Sequence, residues 1–382
     1  MDFNFTDEQT MLRESIAKFA AANYDFDKRK AALKSEAGWN PAAWAAFAEM
    51  GLMAAPLAEA HGGLGGGPVD VLVIMEEFGK ALVTEPYVPT VVLGAGALAL
   101  AGSGAQQEEH LPAIAAGERI MAFAYAEPKG RYALNDVATT AKKDGAGFVL
   151  NGHKAVVIGA PMADTLLVSA RTGGAQRDVG GISLFLVPKS AKGVVTRDYP
   201  NVDGLRASEV YFENVALGGD HLVGAADGAL PLIEELGDRA IAALSAEAVG
   251  ALRATHELTL DYAKNRKQFG VPIATFQVLQ HRMVDMFMAT EQCVSMAYLA
   301  TLKLDAPTVE RAKAASAAKV QIGRAGRFCG QNAVQIHGGM GVTEEMRIGH
   351  YFKRLTMIDS QFGNVDYHLN RYARLSAEAA AA

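Results

Sequence analysis

The chain is poor in the features that mark disulfide scaffolds, nucleic-acid binders and membrane spans. Only two cysteines, Cys293 and Cys329, occur in 382 residues. Both fall in helical patterns, which fits a reducing cytoplasm rather than a disulfide framework. No basic tail or long Lys/Arg run is present and the net charge is −6, which argues against a polyanionic partner. Tryptophan is equally scarce: Trp39 and Trp44 both lie in the first third. Long apolar runs are absent with one exception, the uncharged stretch 86–107. Its two prolines, several glycines and many alanines read as a buried helix in a helical domain, not as a membrane span. The start, Met1-Asp-Phe-Asn-Phe-Thr-Asp-Glu8, is acidic and lacks a charged-then-apolar signal pattern.

What is present describes an ordinary globular protein. Half the residues are hydrophobic and a fifth are charged, and the length suffices for two or three domains with a large core. Thr6-Asp-Glu-Gln9 reads as a capping box, after which Leu12, Ile16 and Phe19 share a helical face. Further helices are expected through Trp44, Phe47 and Met50 and through 69–82. Between them, His61-Gly-Gly-Leu-Gly-Gly-Gly-Pro68 is a loop and not a nucleotide fingerprint, because no strand of a βαβ unit precedes it.

The texture changes near Ala122. Phe148 to Leu150, then Asn151-Gly152, then Lys154 to Ile158 predicts a hairpin turning at Asn-Gly. Strands rich in branched and aromatic residues follow at 165–169, 181–187, 193–196 and 209–212. Helical periodicity returns after about Asp227. One helix is predicted over 230–266, and the next carries Phe276, Leu279, Met283 and Met286 on a face read as bundle core. The expected organisation is a helical domain at 1–118, a β domain at 119–227 and a helical bundle at 228–382. The alanine-rich end, 376–382, is expected to fray.

Two motifs carry chemistry. Gln335-Ile-His-Gly-Gly-Met-Gly341 sets two glycines, Gly338 and Gly339, where a polar ligand could lie against bare backbone amides. Upstream, Arg266-Lys-Gln-Phe-Gly270 closes the long helical pattern. Together they resemble the acyl-CoA dehydrogenase family, flavoproteins that desaturate acyl thioesters, and the resemblance extends over nearly the whole chain. It implies a fold that is mainly α with a β domain: an N-terminal helical domain, a middle β-barrel or sandwich domain and a C-terminal four-helix bundle that mediates oligomerisation. It also implies FAD as cofactor, an acyl-CoA substrate and, as electron acceptor, an electron-transfer flavoprotein. The FAD pyrophosphate and adenosine half would be held by Arg266, Phe269, Gln335, Gly338 and Gly339, with Asn364 among the cofactor contacts.

The family's reaction needs a carboxylate over the substrate α-carbon and a flavin against the acyl chain. In the family's Tyr-Glu-Gly-Thr motif, the glutamate corresponds to Phe362, followed by Gly363 and Asn364. Some relatives carry the base on the long helix instead, at a position that corresponds to Ala240. Asp238 stands two residues before Ala240 and Glu247 seven residues after it. Glu247 shares the face of Ala240 about 10 Å along the helix, and Asp238 points about 200° away. Either is a candidate relocated base, against the plainer readings of Asp238 as a helix-surface residue and Glu247 as half of a buried ion pair. On the flavin side the family's Thr-Glu-Pro-Gly-Ala-Gly-Ser motif reads Ala126-Glu-Pro-Lys-Gly-Arg-Tyr132, so Ala126 and Tyr132 replace two hydroxyls. The family's Lys-x-Trp-Ile-Thr reads Lys154-Ala-Val-Val-Ile158, so Val156 and Ile158 replace the indole and the threonine.

The residues kept are those that, in the family's dimer, contact a flavin bound chiefly by the neighbouring subunit. Such a chain reads as one half of a heteromer, and its Ala126–Tyr132 and 359–363 segments also resemble small subunits of the pimeloyl-CoA dehydrogenase type. Three readings stand: a subunit lending FAD contacts to a homologous catalytic partner, as in a heterotetramer; a self-sufficient, homo-oligomeric dehydrogenase with a relocated base; and a non-catalytic acyl-CoA or flavin-binding scaffold.

Overall fold

The computed structural model describes residues 4–381. In chain order the helices α1 (Asp7–Asn23), α2 (Phe26–Lys34), α3 (Pro41–Glu49), α4 (Pro68–Ala81), α5 (Gly96–Ala101) and α6 (Gly104–Ala115) precede the sheet. The strands are β1 (Met121–Ala124), β2 (Thr140–Asp144), β3 (Gly147–Ile158), β4 (Thr165–Arg171), β5 (Ile182–Pro188), β6 (Val194–Pro200), β7 (Arg206–Leu217) and β8 (Leu222–Val223). Then come α7 (Leu230–Asn265), a two-stranded β9 (Lys267–Gln268) and β10 (Val271–Pro272), and α8 (Gln277–Leu302), α9 (Thr308–His337), α10 (Arg347–Ser360) and α11 (Val365–Ala381). This is the expected succession of helices, β domain and helices. By contacts the chain forms two compact units, one of Met1–Ala31, Pro68–Val83 and Ile241–Ala382, the other of Ala32–Gly67 and Thr84–Ala240.

Local signals explain several starts. The Thr6 hydroxyl accepts the Gln9 amide while the Gln9 side chain accepts the Thr6 amide, as the capping-box reading requires. The uncharged run at 86–107 is no membrane span; among the described residues no helix is long and apolar enough to cross a membrane. Instead it forms a buried π-helical stretch over Val88–Ala95 that passes into α5. The alanine-rich end is helical to Ala381 rather than frayed; Ala382 lies outside the described residues, as does the start of the acidic N-terminus.

In the sheet the strand order is β6-β7-β3-β2-β4-β5-β8, with β1 beside β4. β4 is buried along its whole length, as a central strand of branched and apolar residues should be. One expectation fails here. The chain does not turn at Asn151-Gly152: β3 runs straight through both, and the β2–β3 turn lies at Gly145 and Ala146. Asn151-Gly152 instead marks a register shift of β3 against β7. A Cβ at Gly152 would stand 2.4 Å from the Thr139 hydroxyl, so the glycine serves close approach rather than a hairpin.

In the other unit α8 to α10 and the second half of α7 share a core containing Met283, Met286, Cys293, Ile322, Cys329, Leu355 and Ile358. The methionine face is therefore core, with Phe276 and Leu279 packed against it. Both cysteines are free and buried. α4 and α7 meet at glycines: a Cβ on Gly79 would lie 1.9 Å from the Glu247 carbonyl, and one on Gly250 would lie 1.8 Å from that of Glu76.

Candidate functional site

The Arg266 motif folds into a small projecting turn. α7 ends at Asn265, and β9 pairs with β10 across Phe269 and Gly270, whose φ angles of 55° and 83° are those of a tight two-residue turn. A phenylalanine in the left-handed region is strained by about 1–2 kcal/mol, and its ring is 92% exposed. Folding alone would favour neither. Strain and exposure at one aromatic point to a function outside the chain's own core. The exposed Arg266 side chain has no ion-pair or hydrogen-bond partner among the described residues. It borders a cavity of about 490 Å³ with Asp261, Tyr262, Asn265, His337 and Arg347.

At the end of α9, Gln335 is exposed, and its carbonyl accepts the Gly338 amide that caps the helix. Gly338 adopts φ 58° and ψ −138°, a region open to glycine alone. A Cβ on Gly338 or on Gly339 would meet no protein atom within 4 Å. Internal packing therefore does not demand the bareness of Gly339, so the open space beside the pair can admit a ligand against the backbone.

The turn after α10 contains Phe362, expected from the sequence motif at the position of the family's usual base. Phe362 (φ 56°) and Gly363 (φ 112°) are both left-handed, and a Cβ on Gly363 would stand 2.4 Å from the Tyr367 ring. Phe362 is partly buried and packs against the C-terminal core. Asn364 accepts the Tyr367 amide at 3.0 Å and so caps α11.

Two buried groups that sequence reasoning missed hold this turn. Lys319, with no exposed surface, donates to the carbonyls of Ile358 (2.7 Å), Asp359 (2.9 Å) and Gly363 (2.6 Å). His368, equally buried, lies 2.9 Å from the Phe362 carbonyl through Nε2 and 3.2 Å from the Ser316 hydroxyl through Nδ1. Burial, aided by the Lys319 ammonium, pushes His368 down to about 3, so the ring is neutral, with Nε2 as donor. The available signal was helical spacing: Ala312, Ala315, Ser316 and Lys319 share one face of an alanine-rich stretch, which sets a lysine among core positions.

The carboxylates on α7 have different surroundings from one another. Glu247 is buried and pairs with Arg354, Nη2 to Oε2 at 2.7 Å and Nε to Oε1, a two-point buried ion pair. Asp238 is 1% exposed rather than on the helix surface, and Ala240 is also buried, while the neighbouring Glu235 and Arg239 side chains are each 22% exposed. The apolar run from Ala240 to Leu252, broken only by Ser245, Glu247 and Gly250, carried that information.

In the β domain the surviving motif residues are occupied with each other. Lys154, wholly buried, donates to Glu127 at 2.8 Å and to the Ser169 hydroxyl at 3.1 Å. Glu127 also accepts the Ala138 and Thr139 amides. Burial pushes the Glu127 carboxyl up, but the Lys154 ammonium and those amides outweigh it and hold it below the usual carboxylate range. Val156 lies on a bulge between Lys154 and Val157, with φ 51° and 46% of its surface exposed. Glu127 and Lys154 thus form the internal strut of the domain. Ala126, Val156 and Ile158 bring no side-chain hydroxyl and no indole.

This fold and these motifs define a class. Residues 6–118, 122–215 and 237–376 match the N-terminal, middle and C-terminal domains of acyl-CoA dehydrogenases. The chain belongs to the acyl-CoA dehydrogenase family, oxidoreductases acting on CH–CH bonds. It is 32% identical over 355 residues to the probable acyl-CoA dehydrogenase YngJ of Bacillus subtilis, covering 90% of this chain and 91% of that one. It is 31% identical to the 3-(aryl)acrylate reductase of Clostridium sporogenes, with 82% and 84% covered. Among solved structures it is similar to a Tcur3481-Tcur3483 steroid acyl-CoA dehydrogenase variant (TM-score 0.89, 30% identity, 98% and 99% covered). It is also similar to the ChsE4-ChsE5 complex of Mycobacterium tuberculosis (0.90, 25%, 99% and 99%) and to the FAD complex of PigA (0.91, 26%, 99% and 99%).

Proposed function

We propose that this chain is a subunit of an FAD-dependent acyl-CoA dehydrogenase and lends FAD contacts to a homologous catalytic partner, in the manner of the small subunits of pimeloyl-CoA dehydrogenase-type enzymes. The observation that carries the reading is a division of labour. Arg266 has no side-chain partner among the described residues, Phe269 is held outward in a strained turn, and Gly338 and Gly339 border open space. These features fit a pyrophosphate and its adenosine. A guanidinium facing a pyrophosphate makes charge-assisted, forked hydrogen bonds. The positions for an isoalloxazine fit poorly: Ala126 and Ile158 lack a hydroxyl, and Val156 offers an isopropyl group where the family has an indole.

In the assembled enzyme FAD supplies the acceptor for a hydride from the substrate β-carbon. Removal of the α-proton needs a carboxylate, and Phe362 and Ala240 provide none. Of the relocated candidates, Glu247 already commits both oxygens to Arg354, and Asp238 is enclosed. The base is therefore assigned to the partner chain. Two structural relatives are heteromeric by name, with Tcur3481 joined to Tcur3483 and ChsE4 to ChsE5, which supports the same reading.

The test is a flavin-to-chain ratio. Purified alone, the chain should hold little FAD and oxidise little acyl-CoA. Co-expressed with a related chain that carries Thr-Glu-Pro, Lys-x-Trp and Tyr-Glu-Gly-Thr, it should yield one competent site per heterodimer. One FAD per chain in the lone protein, bleached by an acyl-CoA at catalytic rates, would overturn it.

A further inference from the structure

We propose that Lys319 is a positioning residue for the flavin-facing surface: by tying together both sides of the α10–α11 turn, its ammonium sets the conformation in which Phe362 to Asn364 are offered to the cofactor. The flavin-facing part of this proposal rests on the subunit reading above; the turn-fixing part does not.

The geometry is a match of three donors to three acceptors. An ammonium has three N–H groups and no lone pair. Lys319 directs them at Ile358 and Asp359, before the turn, and at Gly363, within it. The Ile358 and Asp359 carbonyls belong to the last turn of α10, where the helix dipole favours a cation; the Ile358 carbonyl also accepts the amide of the cap residue Gln361 at 3.3 Å. One side chain thus holds residues 358, 359 and 363 at a common point, with the strained Phe362 between them. From the other side, His368 donates to the Phe362 carbonyl and is itself oriented by Ser316, one helical turn from Lys319 on α9. Around the ammonium the charged and titratable neighbours are Asp359 on α10, which Arg327 of α9 also approaches at 3.5 Å, and His368 and Arg371 on α11.

A space-filling role does not explain the choice of residue. Taking an ammonium fully out of water costs several kcal/mol, and burial pushes this one down to about 7 against the pull of Asp359. Methionine or leucine would fill the volume without that cost. What a hydrocarbon cannot do is hold three carbonyls on opposite sides of a turn. The turn carries its own strain, since its left-handed Phe362 is unfavourable by about 1–2 kcal/mol, and Lys319 acts there together with His368 and the Asn364 cap. The device is expensive relative to packing and specific to conformation.

The experiment compares wild type with Lys319→Met by amide hydrogen exchange on the full chain. Flavin affinity is then measured after assembly with the partner chain. Protection at the hydrogen-bonded amides around the turn, Gln361, Tyr367 and His368, is expected to fall at least tenfold in the variant, with α8 unchanged. The dissociation constant for FAD should rise at least tenfold. Unaltered exchange at the turn overturns the proposal, and so does a uniform loss of protection across the bundle, which would make Lys319 a global core residue. Altered exchange with unaltered FAD affinity removes the flavin-facing part. If the wild-type assembly binds no FAD, the subunit reading fails while the exchange comparison still judges Lys319. Should the methionine variant not fold, Lys319→Gln, which keeps two donors, replaces it. Failure of both to fold overturns local positioning in favour of a global structural role.

Discussion

Glu247 separates two accounts of this chain with one substitution. If the carboxylate is half of a structural ion pair, Glu247→Gln leaves the Arg354 guanidinium buried without its counter-charge. The pair is two-pointed, and its side chains are 4% and 6% exposed, so solvent and salt screen it little. Removing one member of such a pair costs about 3–5 kcal/mol. Replacing both members by apolar groups of similar volume is often neutral or stabilising, so Glu247→Leu combined with Arg354→Met should be less destabilised than either single change. Urea unfolding followed by far-UV circular dichroism on the four proteins, at low and high salt, reads this directly. The expected pattern is a large drop in midpoint for Glu247→Gln, a similar drop for Arg354→Met, recovery in the double variant and little salt dependence. A relocated base predicts the opposite: unchanged stability with turnover lowered by at least about a hundredfold. A Glu247→Gln midpoint equal to wild type would refute the ion-pair account.

Three further outcomes follow from the geometry. Arg266→Ala should release FAD from the assembled protein on gel filtration without lowering the melting temperature, and lysine should rescue it poorly because it lacks the planar fork; full flavin retention counts against the clamp. His368 titrates near 6.5 when unfolded and at about 3 when folded. The unfolded chain thus takes up its proton first, and stability is lost as pH falls from about 6.5 toward 3, by about 1.4 kcal/mol per unit. The difference between wild type and His368→Gln should therefore shrink with acidification across that window, and a constant difference would exclude this linkage. Val156→Asn should raise stability by about 1 kcal/mol, since asparagine tolerates the left-handed region that strains a branched residue; destabilisation by more than that amount would mean the isopropyl group has a partner.

What could be read from the sequence was whatever is encoded locally. The Thr6 cap needs two residues three apart, and the methionine face needs only helical spacing, so both were legible. Asn151-Gly152 misled because a close approach to Thr139, residues away in the chain, outweighs the pair's own turn preference. Glu247 and Arg354 stand 107 positions apart, and no local pattern couples them. The burial of Lys319 could be read from helical spacing but its role could not: its three acceptors are backbone carbonyls, which leave no mark on sequence. Asp238 was misplaced by assuming that a charged residue faces water, although the apolar run beginning two residues later announces an enclosed helix.

Phe269 has a practical consequence for anyone handling the lone chain. A nearly bare aromatic ring, 92% exposed on a rigid turn, behaves as an adhesive tip. Covering its surface of about 150–250 Å² would return about 4–6 kcal/mol at 25 cal/mol per Å², enough to attract whatever apolar surface arrives first. Solubility in the absence of its cognate surface should then depend on concentration and improve when that single ring is trimmed, while the same trimming weakens the proper association. On the proposed subunit reading, co-expression with the partner chain, rather than mixing after purification, becomes the natural route to an intact preparation.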